Sequence, residues 1–175
     1  MLFNEDFPKV SVRAVVHRVV HKGYDPLSVE GSFKAGGRYN IAGRFGALYT
    51  SLDETTAAAE VARRLNLGGI DPAAYPPGEW WDYEVEVELD KVLDLTDPAV
   101  AASLQAAPRS LTGADVAFTR RLADEAHAAG FQAIIVPSAA IGGSKNLVVF
   151  LDKLPELPRI LASHPVQLKP APRTF

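Results

Sequence analysis

The 175-residue sequence contains no cysteine. That absence removes disulfides, thiolate zinc sites, iron–sulfur clusters and a cysteine nucleophile together, and a reducing compartment is the simplest setting for such a chain. No apolar run approaches the roughly 18 residues that mark a membrane-spanning helix. The start, MLFNEDFPKV, lacks the basic segment and apolar stretch of a secretory leader. Neither sign of charge dominates: 18 Lys and Arg face 21 Asp and Glu, for a net charge of -3. Such a balance does not draw nucleic acid or an anionic membrane to the surface as a whole, so an anionic ligand has to be held locally. The four histidines, His17, His21, His127 and His164, lack metal-ligand spacing, and no metal site is expected. Together these absences predict a cytoplasmic protein.

With 47% hydrophobic and 22% charged residues, the chain has ordinary globular composition and is read as one domain. At this length roughly 70% of the unfolded surface is buried on folding, enough for a core without staples. Val12 to Val20 (VRAVVHRVV) reads as a strand, with Val12, Ala14, Val16, Arg18 and Val20 on one face. His21 to Gly46 reads as a long loop that carries Lys34, Arg38 and Arg44, and loops of that length inside compact domains are usually functional. Ala47 to Thr50 is a short strand candidate. Ser51 and Glu54 have the spacing of a capping box, opening a helix that runs to about Asn66 with Ala58, Val61, Ala62 and Leu65 as its apolar stripe.

Trp81, Tyr83, Val85, Val87 and Leu89 alternate with Asp82, Glu84, Glu86, Glu88 and Asp90, which predicts a strand with one solvated acidic face. Asp97 and Pro98 cap a short helix. A second helix is expected from about Gly113 to Ala129, packing through Val116, Ala117, Ala123 and Ala126. Phe131 to Val136 and Asn146 to Leu151 read as further strands, and the proline-rich tail as an edge strand flanked by coil. Strands and helices mix without regular βαβ alternation, so the fold class predicted is α+β.

Several residues stand out chemically. Arg18 falls on a strand face of valines, and an unpaired buried guanidinium is costly. It needs an internal carboxylate, a strand end that reaches solvent, or a phosphate ligand suited to its planar fork. Glu60 has the spacing to pair with Arg64 at i,i+4. Ala35-Gly36-Gly37-Arg38-Tyr39-Asn40 matches no Walker or Rossmann fingerprint; it is either a plain turn or a place where backbone amides approach an oxyanion beside Arg38. Tyr39 and Tyr49 are either packing residues or platforms for a flat heterocycle. Ser138 ends a hydrophobic strand with no nucleophile elbow around it.

The order of these landmarks resembles the RES domain, named for arginine, glutamate and serine, whose members are toxins of bacterial toxin–antitoxin pairs. The resemblance rests on His17-Arg18, Tyr24-Asp25-Pro26, Gly37-Arg38-Tyr39, the segment from Leu48-Tyr49-Thr50-Ser51 to Ala59-Glu60, Leu93-Asp94-Leu95-Thr96, and Val136-Pro137-Ser138 followed by Asn146-Leu147-Val148. It covers a core of about 12–151, leaving 152–175 as a C-terminal extension. Two positions depart from the family pattern: Tyr39 stands where tryptophan or phenylalanine is more usual, and Phe150-Leu151 replace a common Asn-Pro ending.

The resemblance implies a split mixed sheet similar to the ADP-ribosyltransferase toxins, with NAD in its cleft as a consumed substrate and no separate cofactor. It implies cleavage of the nicotinamide–ribose bond with water or phosphate as acceptor, or transfer of ADP-ribose to a protein. A non-catalytic nucleotide-binding module is the remaining alternative. Glu60, Arg18 and Ser138 are the implied catalytic residues; Arg38, Tyr39, Tyr49 and Asn146 are the implied NAD-binding ones. Glu60 would stabilise the charge that develops on the ribose, and Ser138 would orient the ribose or the nicotinamide amide. The implied partner is an Xre-like antitoxin, with self-association also open.

Overall fold

A computed structural model describes residues 2–170. Six strands and five helices follow in the order β1 (Val10–His21), α1 (Glu30–Ala35), β2 (Leu48–Ser51), α2 (Glu54–Leu67), β3 (Trp80–Asp94), α3 (Pro98–Ser103), α4 (Pro108–Thr112), α5 (Ala117–Ala128), β4 (Ala133–Pro137), β5 (Lys145–Val149) and β6 (Arg159–Val166). The mixed α+β class holds.

The sheet is built in two halves around the longest strand. The β-branched and aromatic residues of β1 and β3 pair antiparallel from Val10↔Val92 to His21↔Trp80, and β6 joins the other edge of β3 antiparallel, from Trp80↔Val166 to Glu86↔Arg159. The second half is β2, β5 and β4, with the central β5 antiparallel to both neighbours. Two short seams connect the halves. At Val92↔Ala133 to Asp94↔Ile135, β3 runs parallel to β4, and β1 meets β2 at the bridge His17↔Ser51.

Apolar side chains from both halves face inward. Val16, Val85, Val87, Leu89, Ala133, Leu147 and Val149 form one buried cluster. On the far side of β4 and β5, α5 packs Leu122, Ala123 and Ala126 against Ile134, Val136 and Val148. A third cluster, Val19, Ala57, Val61, Trp80 and Leu168, seats α2 over the end of β1 and β3. At about 25 cal/mol per Å² of apolar surface, these contacts set the tilt of α2 and therefore the direction of its outward face.

Several expectations change. The cap of α2 is Asp53, which accepts from Thr56 N–H; Ser51 remains the last residue of β2, where the ladder with β5 continues one residue further than the capping-box spacing suggests. The long loop contains α1, whose six residues bury nothing and so leave no periodic signal. Helix α5 begins at Ala117, after a separate turn of helix, α4, started by Pro108; Ala117 itself is exposed. The acidic face of β3 is not uniformly solvated: Asp82 is fully buried, because α2 is seated over that face at Val19 and Trp80 and brings Glu54 beside it. Asp97 caps α3 as its sequence indicates. Among the described residues no helix is long and apolar enough to cross a membrane.

Candidate active site

A cavity of about 1110 Å³ opens between the end of β1, strand β2, the start of β5 and the exposed face of α2. Its volume suits an elongated ligand rather than a single small group. Six Lys and Arg side chains line it, Arg18, Lys34, Arg38, Arg63, Arg64 and Arg120, against the carboxylates of Asp25, Glu30 and Glu60. The local concentration of positive charge that the near-neutral composition conceals is therefore gathered here.

Glu60 projects from the middle of α2 to the cavity wall. Its Oε1 accepts three hydrogen bonds: from Ser138 Oγ at 2.7 Å, from Asn146 Nδ2 at 2.7 Å and from Ala139 N–H at 3.1 Å. Oε2 has no protein partner among the described residues. The carboxylate is thus anchored through one oxygen by neutral donors, which hold its direction without cancelling its charge. The expected i,i+4 pair with Arg64 does not form. Oε1 is drawn toward β4 and β5, and Arg64 is left at the cavity rim.

Behind this carboxylate stands a further link. Ser51 and Asn146 are direct partners across β2 and β5, and Ser51 Oγ donates to Asn146 Oδ1 at 2.7 Å. With that oxygen engaged, the amide presents its N–H to Glu60; the flipped amide would set two acceptors face to face. Ser138 is buried and does not line the cavity, although its neighbours Pro137 and Ala139 do. Its hydroxyl also accepts from Ala140 and Ile141 N–H, both at 3.0 Å. All its bonding capacity goes to Glu60 and to its own turn, so the geometry makes it a support for Glu60 instead of an orienter of ribose.

Among the described residues Arg18 meets no carboxylate, and carbonyls take that place. Nη1 donates to Tyr49 O at 2.9 Å and Nη2 to Ser28 O at 3.2 Å, while buried Nε has no partner. The side chain clamps β1 to β2 and to the turn before α1. Burial chiefly, and then the positive charge of Arg64, lower its pKa to about 10, with Asp25 opposing; the guanidinium remains charged at neutral pH.

The glycine pair forms a tight turn. Gly36 adopts φ of 71°, a left-handed conformation that favours glycine. Gly37 pairs with Asn40, and any Cβ at Gly37 would collide with the Tyr49 hydroxyl. Its N–H is spent on Asn40 O, so this turn does not present that amide to an oxyanion. Arg38, the next residue, reaches the cavity while donating to Gly113 O at 2.5 Å.

The tyrosines act differently from each other. Tyr39 touches the cavity wall but is only 2% exposed, and its hydroxyl donates to Leu111 O at 3.0 Å, so it packs as a core residue with little ring face to offer a ligand. Tyr49 is half-buried on the cavity wall, donates to Asn40 Oδ1 and accepts from Tyr39 N–H, both at 2.9 Å. Burial raises both phenol pKa values, that of Tyr49 to about 12, so neither supplies an anion at neutral pH.

Sequence reasoning missed Ser51, Arg64 and Arg120. Arg120 lies on α5, donates Nε to Gly37 O at 2.8 Å and reaches the same cavity; no local pattern marks it. Outside the cavity, Glu54, Asp82 and His164 bring ligand-type atoms within 4.8 Å of one another, a cluster that histidine spacing in the sequence does not show.

Fold and site together define a small α+β protein with a cation-lined cleft centred on one anchored carboxylate. The chain belongs to the RES domain family, whose model matches residues 13–171. A relative from Mycobacterium tuberculosis (strain ATCC 25618 / H37Rv), named as a probable NAD(+) phosphorylase, is 32% identical over 127 residues. That match covers 69% of this chain, and the chain spans 56% of the relative's length. A chain in the crystal structure of the M. tuberculosis MbcT-MbcA toxin–antitoxin complex has a similar fold, with a TM-score of 0.81, 22% identity and coverage of 91% of this chain and 87% of that one.

Proposed function

We propose that this protein consumes NAD, cleaving the bond between nicotinamide and ribose with phosphate or water as acceptor, and that it is a toxin neutralised by a cognate antitoxin. In this reading the split sheet is of the ADP-ribosyltransferase type and the antitoxin is an Xre-like protein. Family membership supports it, as do the name of the mycobacterial relative and the toxin–antitoxin complex that shares the fold. The observation that carries it is Glu60: one oxygen fixed by three donors, the other free, on the wall of a cleft rich in arginine.

Departure of nicotinamide builds oxocarbenium character on the ribose. Glu60 Oε2 faces that charge, and because Oε1 is already held, little reorganisation is needed when the charge develops. Asn146, Ser138 and the Ala139 amide keep the carboxylate aimed. Arg38 and Arg120 hold the pyrophosphate, each with guanidinium nitrogens left over from its carbonyl bond. Arg18 keeps the cleft wall together, and Tyr49 offers its half-buried ring to a base. NAD is a substrate here, so nicotinamide leaves with the electron pair of the broken bond and no hydride acceptor enters.

The test is direct. The purified protein incubated with NAD, with and without phosphate, should release nicotinamide at the rate NAD disappears. NAD labelled in its adenylate part separates the outcomes: label in small molecules supports the proposal, and label attached to protein would make the enzyme a transferase. No turnover under any of these conditions would overturn the reading.

A further inference from the structure

The cations of the cleft are not equally engaged. Arg18 spends two nitrogens on carbonyls, Lys34 pairs with Glu30, and Arg38 and Arg120 each spend one nitrogen on the backbone. Neither the Arg63 nor the Arg64 side chain makes a hydrogen bond or an ion pair among the described residues, although both line the cavity, and of the two it is Arg64 that shares the helix face of Glu60. It stands four residues after Glu60 on α2, hence one turn along the same face and about 6 Å further down the axis. The side chain is exposed, so it is within reach of a solute entering from solvent.

Arg64 and Arg18 also line the same cavity. The positive charge of Arg64 adds to burial in lowering the Arg18 pKa. The Arg64 pKa is itself lowered, first by the surrounding walls, with the charge of Glu60 opposing. Glu60 does not bridge the two arginines, because its anchored oxygen faces β4 and β5. Two guanidinium groups of like charge therefore share one side of a cleft, one of them with a buried Nε that has no acceptor. An anion of high charge density is the complement to this arrangement.

We propose that Arg64, with Arg18 behind it, forms the subsite for the acceptor, inorganic phosphate, and so selects phosphate over water. This rests on the NAD-cleaving reading above. A phosphate oxygen forms a bond to the anomeric carbon while the bond from that carbon to the pyridine nitrogen breaks. The electron pair leaves with nicotinamide as a neutral ring, and the product is ADP-ribose 1″-phosphate. With water in place of phosphate the product is ADP-ribose, and a proton passes to solvent. Placement one turn from Glu60 holds the acceptor beside the carbon whose charge Glu60 stabilises, which raises its effective concentration.

The experiment measures NAD consumption and the ratio of the two products over a series of inorganic phosphate concentrations, for wild type, Arg64→Gln, Arg64→Lys and Arg63→Gln. In parallel, phosphate is titrated into each protein without NAD and its binding followed by calorimetry. Loss of one charged, hydrogen-bonding contact should raise the half-saturating phosphate concentration of Arg64→Gln by about tenfold or more. The product ratio should then move toward ADP-ribose, with a smaller change in the KM for NAD. Arg64→Lys should recover part of the phosphate response. Unchanged phosphate saturation in Arg64→Gln, an equal loss of affinity for NAD, or a loss confined to Arg63→Gln would each overturn the assignment. A wild type that never cleaves NAD would overturn the proposed function instead, and calorimetry would still decide whether phosphate binds through Arg64.

Discussion

Two carboxylates lie close together along α2, Glu60 in the middle of the helix and Asp82 beside its first residue, and they are supported in contrary ways. Glu60 gives one oxygen to three neutral donors and keeps the other free toward the cleft. Asp82 is fully buried, holds His17 Nδ1 at 2.7 Å through Oδ2, and has an Oδ1 with no partner. Burial raises the Asp82 pKa, with the His17 bond opposing. The first environment fixes the direction of a charge and leaves it available; the second confines a charge and offsets the cost with a neighbouring imidazole. Anchoring by neutral groups is what a carboxylate needs to act on a substrate, whereas close pairing serves the fold.

If that contrast is right, the two sites separate activity from stability. The largest effect is expected for Glu60→Gln, which keeps the shape and removes the charge. Nicotinamide release should fall by about 1000-fold, while a thermal melt stays close to wild type; collapse of both together would erase the distinction. Next is Asp82→Ala, which strips His17 of its partner. It should cost about 2 kcal/mol, a fall of roughly 4–8 °C in Tm, with kcat per folded molecule retained. Loss of turnover without loss of stability in this variant would place Asp82 with the site and break the comparison.

Ser51→Ala sharpens the Glu60 side of it. Freed from its strand neighbour, Asn146 has a second amide orientation, and kcat should drop by about tenfold while KM and Tm move little; Ser51→Thr, which retains the hydroxyl, should recover much of the rate. The smallest effect concerns His164, whose Nε2 lies 3.1 Å from Glu54 Oε2 on α2. Glu54 raises its pKa above the ordinary 6.5, so the pair's contribution is fully present below that value and disappears as pH rises through the raised one. Melting curves from mild acid to mild alkali should show a shallow decline for wild type, and His164→Gln should flatten it.

Much of the frame was legible because burial imposes periodicity. The alternation from Trp81 to Asp90 marks β3, and Asp97-Pro98 marks the start of α3, since each depends only on neighbours in the chain. The exceptions are instructive. Asp82 breaks the rule for its strand face because α2, from another part of the chain, is seated over it, and no local pattern reports a helix packed from elsewhere. Helix α1 was hidden because it buries no side chain.

At the site, Arg18, Glu60 and Asn146 could be placed by landmark order, and the structure brings all three to the cleft. Their partners could not be placed. Arg18 bonds to carbonyls, which every residue carries and no sequence pattern distinguishes. Arg64 had the right spacing for an ion pair with Glu60, but donors from β4 and β5 compete for that oxygen. Tyr39 shows the reverse case: an aromatic beside a glycine turn looked available, and its hydroxyl bond to Leu111 draws it into the core.

Strands β1 and β2 meet through a single backbone pairing, His17↔Ser51. Both partners of that pairing lead elsewhere, one to Asp82 and the other through Asn146 to Glu60. The stitch is therefore a place where strain in the sheet and aim in the cleft meet: a tug that widens the gap loosens the pedestal of the reactive acid, and a guest wedged across it acts as a brace.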